Sequence, residues 1–400
     1  MVPASGVSRM TLVLPIALLS LAAWLYLLFA HGDFWRGRER DPADAPPPQT
    51  PADGWPDVVA ILPARNEADV VAYSIGSLLR QNYEGSLQVI LVDDQSGDGT
   101  ARVAEAAAES AGCRDRLTVL QGGDLPPGWT GKLWALSQGV EHAQDLGKPP
   151  EFLLFSDADI GYAADSLSRQ VALALSGGYS LVSRMAKLRC ENLAERALIP
   201  AFIFFFQMLF PFAWVNRPDR RIAAAAGGCM LVRRQDLRQA GGIESIRDAL
   251  IDDCALAARL KTRGPIRLEL TERVVSLRPY PSLGEIRRMV ARSAYAQLRY
   301  SPLLLLGTIA GMALIYVAPP ALALFAEGAA RGLGILGWLA MALAFQPTLR
   351  FYRLSPLWGL ALPAIAAIYL LFTLDSAYQH GRGRGGMWKG RAQAPGSGAA

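Results

Sequence analysis

Two aspartates separated by one residue close a short apolar run in the middle of the chain. The run from Phe152 to Phe155 is followed by Ser156 and then by Asp157 and Asp159. An apolar run of this length is typical of a fully buried strand, and ligands of open α/β sheets bind beyond the carboxyl ends of strands. Carboxylate oxygens suit a hard cation such as Mg²⁺ or Mn²⁺ that also contacts a diphosphate. The pair therefore predicts a metal site, with a polar turn and a helix cap at Asp159 as the alternative.

Polar residues also follow two other predicted strands. The apolar segments Val58–Leu62 and Leu87–Val92 both lead into polar turns that open helices. The residues at these strand ends are Pro63, Arg65, Glu67, Asp93 and Asp94. Strands that alternate with helices predict an α/β fold with a mostly parallel sheet covered on both faces. Since parallel strands end at the same edge of a sheet, these side chains are expected to converge on one cleft with the Asp-x-Asp pair.

A lysine stands at the start of a predicted helix that follows a glycine-containing loop. The loop at 122–131 leads into a helix from Lys132 to about Ala143. It does not form the Gly-x₄-Gly-Lys-Ser/Thr pattern of a P-loop, because Pro126 and Leu133 occupy two of the required positions. Lys132 is placed to meet a phosphate near the helix N-terminus, and a solvated surface lysine is the alternative.

Two adjacent acids, Asp252 and Asp253, open a segment with helical apolar spacing that extends to Leu260. Acids at this position cap a helix and interact favourably with its dipole. A carboxylate at the floor of a cleft is also suited to act as a general base. Both interpretations are open at this point.

Apolar runs near both ends of the chain predict membrane-spanning helices. The chain has 400 residues, of which 52% are hydrophobic, and a net charge of +5. The apolar excess is concentrated in Thr11–Ala30, Leu303–Ala326, Leu333–Phe345 and Pro356–Leu374. About 20 apolar residues span a bilayer, so the shorter third run leaves a re-entrant pair open. The arginines flank these runs, which favours a membrane surface over nucleic acid as the partner.

Cysteine and histidine usage excludes several kinds of site. Four cysteines are scattered without a Cys-x-x-Cys pair, and three histidines lie far apart in the sequence. Zinc sites, a disulfide framework and a Ser-His-Asp triad are therefore not expected, and a reducing compartment fits the free thiols.

The chain is predicted to divide into six segments. These are an N-terminal transmembrane anchor (1–35), a Pro-rich extended linker (36–56), an α/β domain (57–282), a basic interfacial helix (283–301), C-terminal transmembrane helices (302–376) and a basic, disordered tail (377–400). Arg36, Arg38 and Arg40 follow the first apolar run while only Arg9 precedes it, so the positive-inside rule places the α/β domain in the cytosol. The basic tail favours the same side, whereas three C-terminal crossings would place it on the other.

An aromatic segment interrupts the α/β domain. It is bounded by charges, and Pro200 and Pro211 make it too broken to span a membrane comfortably. Its residues that suit a lipid or acceptor contact are Phe202, Phe205, Phe206 and Trp214. A buried core helix and a segment lying in the membrane interface are the two interpretations.

The order of these motifs resembles that of the inverting family 2 glycosyltransferases, which have the GT-A fold. The resemblance covers residues 58–300. The motifs that carry it are Pro63–Glu67, Val92–Thr100, Ser156–Asp159 and the Asp252-Asp253 pair. Three further segments resemble the hopanoid-biosynthesis-associated members of the family, and these imply a bacterial source. They are Gly128–Trp134, Ala226–Val232 and Ala294–Tyr300.

The resemblance implies a role for each matching residue. The donor site would consist of Pro63, Arg65, Glu67, Asp93, Asp94, Lys132, Asp157, Arg292, Gln297 and Arg299. Asp93 and Asp94 would hold the base and ribose of the nucleotide. Asp159, together with Asp157, would bind Mg²⁺ or Mn²⁺. Asp253 would be the catalytic base, with Asp252 at a position where the family usually has Glu.

The segment that ends the resemblance departs from the processive members of the family. Gln297-Leu-Arg299-Tyr300 is one residue shorter than their Gln-x-x-Arg-Trp motif and carries Tyr in place of Trp. Arg292 is a second candidate for the same phosphate-binding role. This departure favours transfer of a single sugar over synthesis of a polymer.

The expected protein is a multi-pass enzyme of the bacterial inner membrane with its catalytic domain on the cytoplasmic face. It would move one sugar from a nucleotide-sugar donor, in the first place a UDP-sugar, to a lipid acceptor such as a hopanoid or a related isoprenoid. A nucleotidyltransferase of the same fold and a non-catalytic membrane scaffold with a nucleotide-binding domain are the alternatives. No nucleic-acid partner is expected.

Overall fold

The computed structural model describes residues 5–42, 44–383, 387–388 and 391–392. The chain forms two compact units. We call one the sheet unit, which contains Glu39–Arg189 and Trp214–Pro279. We call the other the helical unit, which contains residues 5–38 together with Cys190–Ala213 and Tyr280–Arg382.

The sheet unit is built on a mixed eight-stranded sheet with the order β3-β2-β1-β4-β7-β6-β8-β5. The strands are β1 (Val58–Ala64), β2 (Leu87–Asp93), β3 (Leu117–Gln121), β4 (Phe152–Ser156), β5 (Ile160–Tyr162), β6 (Leu181–Lys187), β7 (Cys229–Arg233) and β8 (Ile266–Ser276). Strands β3, β2, β1 and β4 are parallel, whereas β7 is antiparallel to both β4 and β6. Strand β8 is parallel to β6 and antiparallel to β5. The predicted α/β class is confirmed, and its parallel block carries the predicted strand ends.

The helices follow the expected alternation through the first half of the sheet unit. In chain order they are α1 (Ser5–Phe29), α2 (Val71–Leu79), α3 (Thr100–Ser110), α4 (Gly131–Gln144), α5 (Ser166–Ser176), α6 (Leu193–Leu209), α7 (Phe212–Val215), α8 (Arg234–Gln239), α9 (Asp252–Leu260), α10 (Leu283–Ala291), α11 (Ala294–Gln297), α12 (Pro302–Met312), α13 (Ala318–Phe325), α14 (Gly328–Phe351) and α15 (Leu362–Gly381).

Helices cover both faces of the parallel block. Strands β1 and β4 are buried along their whole length, as expected for apolar runs that are enclosed on both sides. On one face, Ile75 of α2 joins the core formed by Ala60 and Leu62. On the other face, α4 approaches Ile61 closely at Gly139, where an added Cβ would lie 2.4 Å from the Ile61 Cγ2 atom. The glycine therefore fixes how α4 packs, and α4 carries Lys132 at its start.

The helical unit contains apolar helices of membrane-spanning length. Pro302–Phe325, Gly328–Phe351 and Pro356–Gly381 are each long and apolar enough to cross a membrane, and so is Leu193–Val215, most of which lies in this unit. Leu303 and Phe325 are 80% and 85% exposed, which suits a lipid environment better than water. The indole of Trp24 in α1 donates a hydrogen bond of 2.8 Å to the carbonyl of Ile315. N-terminal and C-terminal helices thus pack together within this unit.

Two apolar segments are longer and more regular than their sequences suggested. The run predicted at Leu333–Phe345 is the middle of α14, a continuous helix of 24 residues, and not half of a re-entrant pair. The segment around Pro200 was expected to be too broken to span, but α6 continues through this proline. A proline inside a helix removes one backbone hydrogen bond without necessarily ending the helix, and here the surrounding side chains are largely buried.

The predicted linker is held along the sheet unit. The backbone N–H of Asp41 donates to the carbonyl of Leu270, and the N–H of Leu270 donates to the carbonyl of Glu39. Further along, the Trp55 indole donates to the Glu84 carboxylate and packs edge-on against Tyr83. These contacts give the described part of this segment a fixed path from Glu39 onwards.

At the C-terminus, α15 reaches Gly381, inside the segment predicted as a disordered tail. Met387–Trp388 pairs with Arg391–Ala392 as a short antiparallel ladder. The rest of the predicted tail lies outside the described residues.

Candidate functional site

The carboxyl ends of β1 and β2 lie side by side. Ala64 pairs with Asp93 in register, and the N–H of Asp94 donates to the carbonyl of Ala64. Asp93 and Asp94 are both buried. One carboxylate oxygen of Asp93 accepts the N–H of Ser96 at 2.9 Å and so stabilises the turn after β2. Arg65 donates to the Asp94 carbonyl, and its Nη1 atom lies 3.6 Å from the Asp94 carboxylate.

Lys132 joins acids from two distant parts of the sequence. Its Nζ atom lies 2.9 Å from Oδ1 of Asp157 and 3.0 Å from Oδ2 of Asp252. The helix that carries it is fixed at Thr130, whose hydroxyl accepts the N–H of Leu133 and whose N–H donates to the carbonyl of Arg247. Burial lowers the pKa of Lys132, but the charges of Asp157 and Asp252 outweigh this effect and raise the pKa above its ordinary value. Lys132 is therefore a half-buried, charged link between two acids and not a solvated surface lysine.

Asp253 is a half-buried carboxylate held by backbone N–H groups. Its Oδ2 atom accepts the N–H of Gly227 at 2.9 Å, and its Oδ1 atom accepts the N–H of Cys254 at 2.7 Å. A Cβ atom at Gly227 would lie 3.4 Å from both this carboxylate and the Lys132 Nζ atom, so the glycine leaves the space between them open. Burial, and after it the charge of Asp252, raises the pKa of Asp253 to about 6.

The two acids do not cap the helix that they open. Helix α9 has Ile251 at its N-cap without a side-chain cap hydrogen bond, and Asp252 and Asp253 are its first two residues. Their negative charges still suit the positive end of the helix dipole. The carboxylate of Asp252 contacts Lys132, whereas the carboxylate of Asp253 accepts backbone N–H groups.

An arginine that sequence reasoning did not single out lies against Asp159. The Nε atom of Arg278 is 2.8 Å from Oδ2 of Asp159, and its Nη2 atom is 2.8 Å from Oε1 of Glu67. Arg278 follows β8, and Ser276 of that strand pairs with Ile160 of β5. The N–H of Leu277 also donates to the carbonyl of Asp159. The pairing of β5 with β8 therefore determines the contact between Arg278 and Asp159. The sequence around Arg278 contains no motif that predicts this contact.

Together these residues form a group that we call the edge cluster. It consists of Glu67, Lys132, Asp157, Asp159, Asp252, Asp253 and Arg278. Five carboxylates face two cations in this group. Burial raises the pKa of Asp157, Lys132 opposes that rise, and the neighbouring charge of Asp159 adds to it. The cluster thus carries an excess of negative charge.

The donor atoms of Asp157 and Asp159 fit a divalent cation. No group of three His, Cys, Asp or Glu residues suited to hold a metal by themselves occurs among the described residues. Mg²⁺ is nevertheless commonly bound through one or two carboxylates together with waters and substrate phosphates. The two acids lie in a cluster with an excess of negative charge and therefore match a cation that completes its coordination with a diphosphate.

The other predicted site residues lie in other parts of the fold. Arg292 follows α10, Gln297 ends α11, and Arg299 comes two residues later with a φ of 52°; all three belong to the helical unit. Pro63 lies inside β1, in the sheet unit.

The aromatic residues predicted to contact lipid also differ in their surroundings. In the helical unit, the ring of Phe205 packs against Tyr316 and Tyr369, and that of Phe206 packs against Phe210 and Phe212. Phe202 is partly exposed. Trp214 belongs to the sheet unit, where the guanidinium of Arg220 lies 5.4 Å from its ring centroid. Some residues of the aromatic segment thus pack against other aromatic side chains, and others are partly exposed.

Comparison with known proteins finds a family model that matches part of the chain. The model of the family "Glycosyl transferase family 2" matches residues 59–241. An N-acetylglucosaminyltransferase from Rhizobium leguminosarum bv. viciae is 29% identical over 155 residues, which cover 38% of this chain and 34% of that protein. The match therefore spans about a third of the length of this curated relative.

A solved structure extends the similarity beyond the family match. A mannosyltransferase from Pyrobaculum calidifontis, determined in complex with GDP-Man and Mn²⁺, superposes with a TM-score of 0.54 at 20% identity. The match covers 92% of this chain and 99% of that one, and at this identity it establishes the fold alone. Residues 59–241 thus match the model of the family 2 glycosyltransferases, and the chain has the GT-A fold.

Proposed function

We propose that the protein transfers a single sugar from a nucleotide-sugar donor to the hydroxyl group of a membrane lipid, with inversion at the anomeric carbon. The observation that carries this proposal is the position of Lys132 between Asp157 and Asp252. Lys132 pairs with Asp157, which is suited to a metal and diphosphate site, and with Asp252, whose neighbour Asp253 is suited to accept a proton. Both halves of a sugar transfer thereby have residues in the edge cluster.

On the donor side, the buried strand ends would bind the nucleotide. Asp93 and Asp94, with Pro63 on β1 and Arg65 directly after that strand, would receive the base and ribose, and Lys132 would face the phosphates. A UDP-sugar is the donor we propose first, and the GDP-Man bound by the solved mannosyltransferase makes GDP-sugars the second class to test. A divalent ion, Mg²⁺ or Mn²⁺, at Asp157 and Asp159 would supply positive charge against the leaving diphosphate.

On the acceptor side, Asp253 would act as the general base. The acceptor oxygen forms a bond to the anomeric carbon while the bond from that carbon to the diphosphate oxygen breaks. The proton of the acceptor hydroxyl passes to the Asp253 carboxylate. A pKa raised to about 6 makes Asp253 a stronger base than an ordinary aspartate, yet leaves it mostly ionised at neutral pH.

The apolar helices support a lipid as the acceptor. Four helices of spanning length provide the means to hold the protein in a membrane. We propose a hopanoid or related isoprenoid acceptor, with Phe202, Phe205, Phe206 and Trp214 as its apolar contacts. Arg292, Gln297 and Arg299 are the proposed phosphate contacts outside the sheet unit. The basic residues after the first helix favour a bacterial inner membrane with the catalytic domain on the cytoplasmic face.

The test is the substitution Asp253→Asn, which keeps the shape of the side chain but removes the proton acceptor. We expect turnover to fall on the order of 10² to 10⁴-fold, the usual share of general base catalysis. Donor affinity should persist, because the proposed nucleotide contacts come from other residues. The measurement is transfer of labelled sugar from UDP-GlcNAc or GDP-Man to a bacterial membrane lipid extract, alongside nucleotide affinity.

The matched control is Asp219→Asn, which changes an exposed aspartate paired with Arg217. This variant should retain the turnover of the unmodified protein. Near-normal turnover and affinity in Asp253→Asn would remove the base assignment and transfer it to Asp252 or Glu244.

A further inference from the structure

Arg278 is shared by two carboxylates that come from different strands. It contacts Asp159, which follows β4, and Glu67, which follows β1. Its backbone position is fixed, because the adjacent Leu277 is hydrogen-bonded to the carbonyl of Asp159. Glu67 is buried, and its own N–H donates to the Thr100 hydroxyl at 2.9 Å. The guanidinium is thus anchored on the Glu67 side by a rigid group.

The contact with Arg278 occupies one of the two carboxylate oxygens of Asp159. Each acid of the Asp-x-Asp pair contacts a cation of the protein, Asp157 contacting Lys132 and Asp159 contacting Arg278. A divalent ion at the Oδ2 atom of Asp159 would compete with the guanidinium, since both are positively charged. Metal binding through this oxygen therefore requires Arg278 to give up the contact.

Arg278 has donor groups left for another anion. A guanidinium carries five N–H groups in a planar fork. Within the described residues, Arg278 uses its Nε group for Asp159 and one Nη2 group for Glu67. Its side chain is 36% exposed, so the other N–H groups face accessible space. Phosphate oxygens are the anions that such a fork binds best.

We propose that Arg278 is an exchange residue for the donor site: it neutralises Asp159 while the site is empty, and moves onto the diphosphate when a divalent ion takes Asp159. Glu67 keeps the guanidinium in place during the exchange. This inference rests on the proposed function, because it assumes a metal-dependent nucleotide-sugar donor. In this proposal Glu67 positions Arg278, whereas the family resemblance implied that Glu67 belongs to the nucleotide site itself.

The test compares metal binding in the absence and presence of nucleotide. In Arg278→Gln, Mn²⁺ no longer has to displace a guanidinium, so donor-free Mn²⁺ should bind about tenfold more tightly. The affinity of UDP or GDP in the presence of Mn²⁺ should fall by a similar factor, because a phosphate contact is lost. Both are measured on the full-length chain in detergent, Mn²⁺ by electron paramagnetic resonance of the free ion and nucleotide by calorimetry. A purely structural role for Arg278 would weaken both affinities.

The matched control is Arg65→Gln, which removes one positive charge at the same sheet edge without a contact to Asp159. Its donor-free Mn²⁺ affinity should change much less than that of Arg278→Gln. The positioning role is tested by Glu67→Gln, which should weaken Mn²⁺-dependent nucleotide binding without the large gain in donor-free Mn²⁺ affinity. Equal gains in Arg65→Gln and Arg278→Gln would mean that general electrostatics, and not exchange at Asp159, controls the metal.

The outcomes separate this inference from the proposed function. If the unmodified protein shows neither Mn²⁺-dependent nucleotide binding nor sugar transfer, the proposed function fails and the exchange fails with it. If the unmodified protein shows both, but donor-free Mn²⁺ affinity in Arg278→Gln is unchanged or weaker, only the role of Arg278 is overturned.

Discussion

Two buried groups of charges in the sheet unit use the same residue types in opposite ways. One is the edge cluster around Lys132. The other, which we call the linker network, consists of Asp41, Asp165, Arg169, Arg184 and Arg273. In the linker network, Asp41 lies 3.3 Å from Arg184, 3.1 Å from Arg273 and 3.2 Å from the Thr271 hydroxyl. Arg273 and Arg169 in turn contact Asp165.

The difference between the two groups lies in how their charges balance. The linker network has three arginines for two aspartates, and Arg169 and Arg273 also donate to linker carbonyls at Ala45, Pro46 and Pro42. Its net charge is therefore a single positive unit, and each of its arginines contacts a carboxylate of the network. The edge cluster has five carboxylates for two cations, so part of its negative charge is not neutralised by the cluster itself. Balance indicates a structural role, and imbalance at a strand edge indicates a binding site.

The largest effect on stability is expected from Asp41→Asn. Asp41 and Arg184 are both buried, and the substitution leaves a buried guanidinium without its counter-ion. Breaking a buried ion pair in this way should lower the free energy of unfolding by about 3 kcal/mol. Thermal unfolding in detergent measures the loss. Turnover per folded molecule should be unchanged, and a loss of turnover with normal stability would contradict the structural role of the linker network.

Lys132→Met should have the opposite profile, with its main effect on catalysis. The substitution removes the cation that lies between Asp157 and Asp252 and that is proposed to face the donor phosphates. We expect turnover per folded molecule to fall about 10²-fold, the scale of losing one electrostatic contact to a developing charge. Sugar transfer normalised to the folded fraction is the measurement. Turnover close to that of the unmodified protein would mean that Lys132 has a structural role, like the charges of the linker network.

The smallest predicted effect is a gain in stability from Asp253→Asn. It contrasts with the loss of stability predicted for Asp41→Asn. The Asp253 pKa of about 6 in the folded protein exceeds the ordinary value of about 3.9, so ionisation of Asp253 opposes folding. The penalty is complete above pH 6 and absent below about pH 4, where the group is protonated in both states. After allowance for one lost backbone hydrogen bond, the variant should be about 1 kcal/mol more stable at pH 7 to 8.

Unfolding measured across pH 4 to 8 tests this prediction. The advantage of Asp253→Asn should shrink as the pH falls and reverse below about pH 5, where the lost hydrogen bond outweighs the remaining ionisation penalty. The same replacement of Asp by Asn would then destabilise the protein at position 41 and stabilise it at position 253. A loss of stability at both positions would mean that the charges of the edge cluster are as well balanced as those of the linker network.

Much of the fold follows from local sequence patterns. Short apolar runs such as Phe152–Phe155 are buried on both faces, and the alternation of strands with helices up to β4 fixes a parallel order. Lys132 falls at the start of α4, as the loop before it suggested. Asp252 and Asp253 fall in the first turn of α9, yet the sequence alone did not decide between a helix cap and a place beside Lys132.

The contact between Lys132 and Asp252 joins residues 120 positions apart, and that between Asp159 and Arg278 joins residues 119 positions apart. The second depends on the antiparallel pairing of β5 with β8, just as the linker network depends on Asp41 lying beside β8.

The element types, the strand-end acids and the apolar helices follow from the sequence, because these depend on periodicity and on neighbours within a few residues. Which cation contacts which carboxylate depends instead on the folded arrangement of the strands. Arg278 and Arg273 are both arginines within the region of β8, and one contacts Asp159 while the other contacts Asp41. Strand pairing and burial separate them, and neither property is encoded in the residues immediately around each arginine.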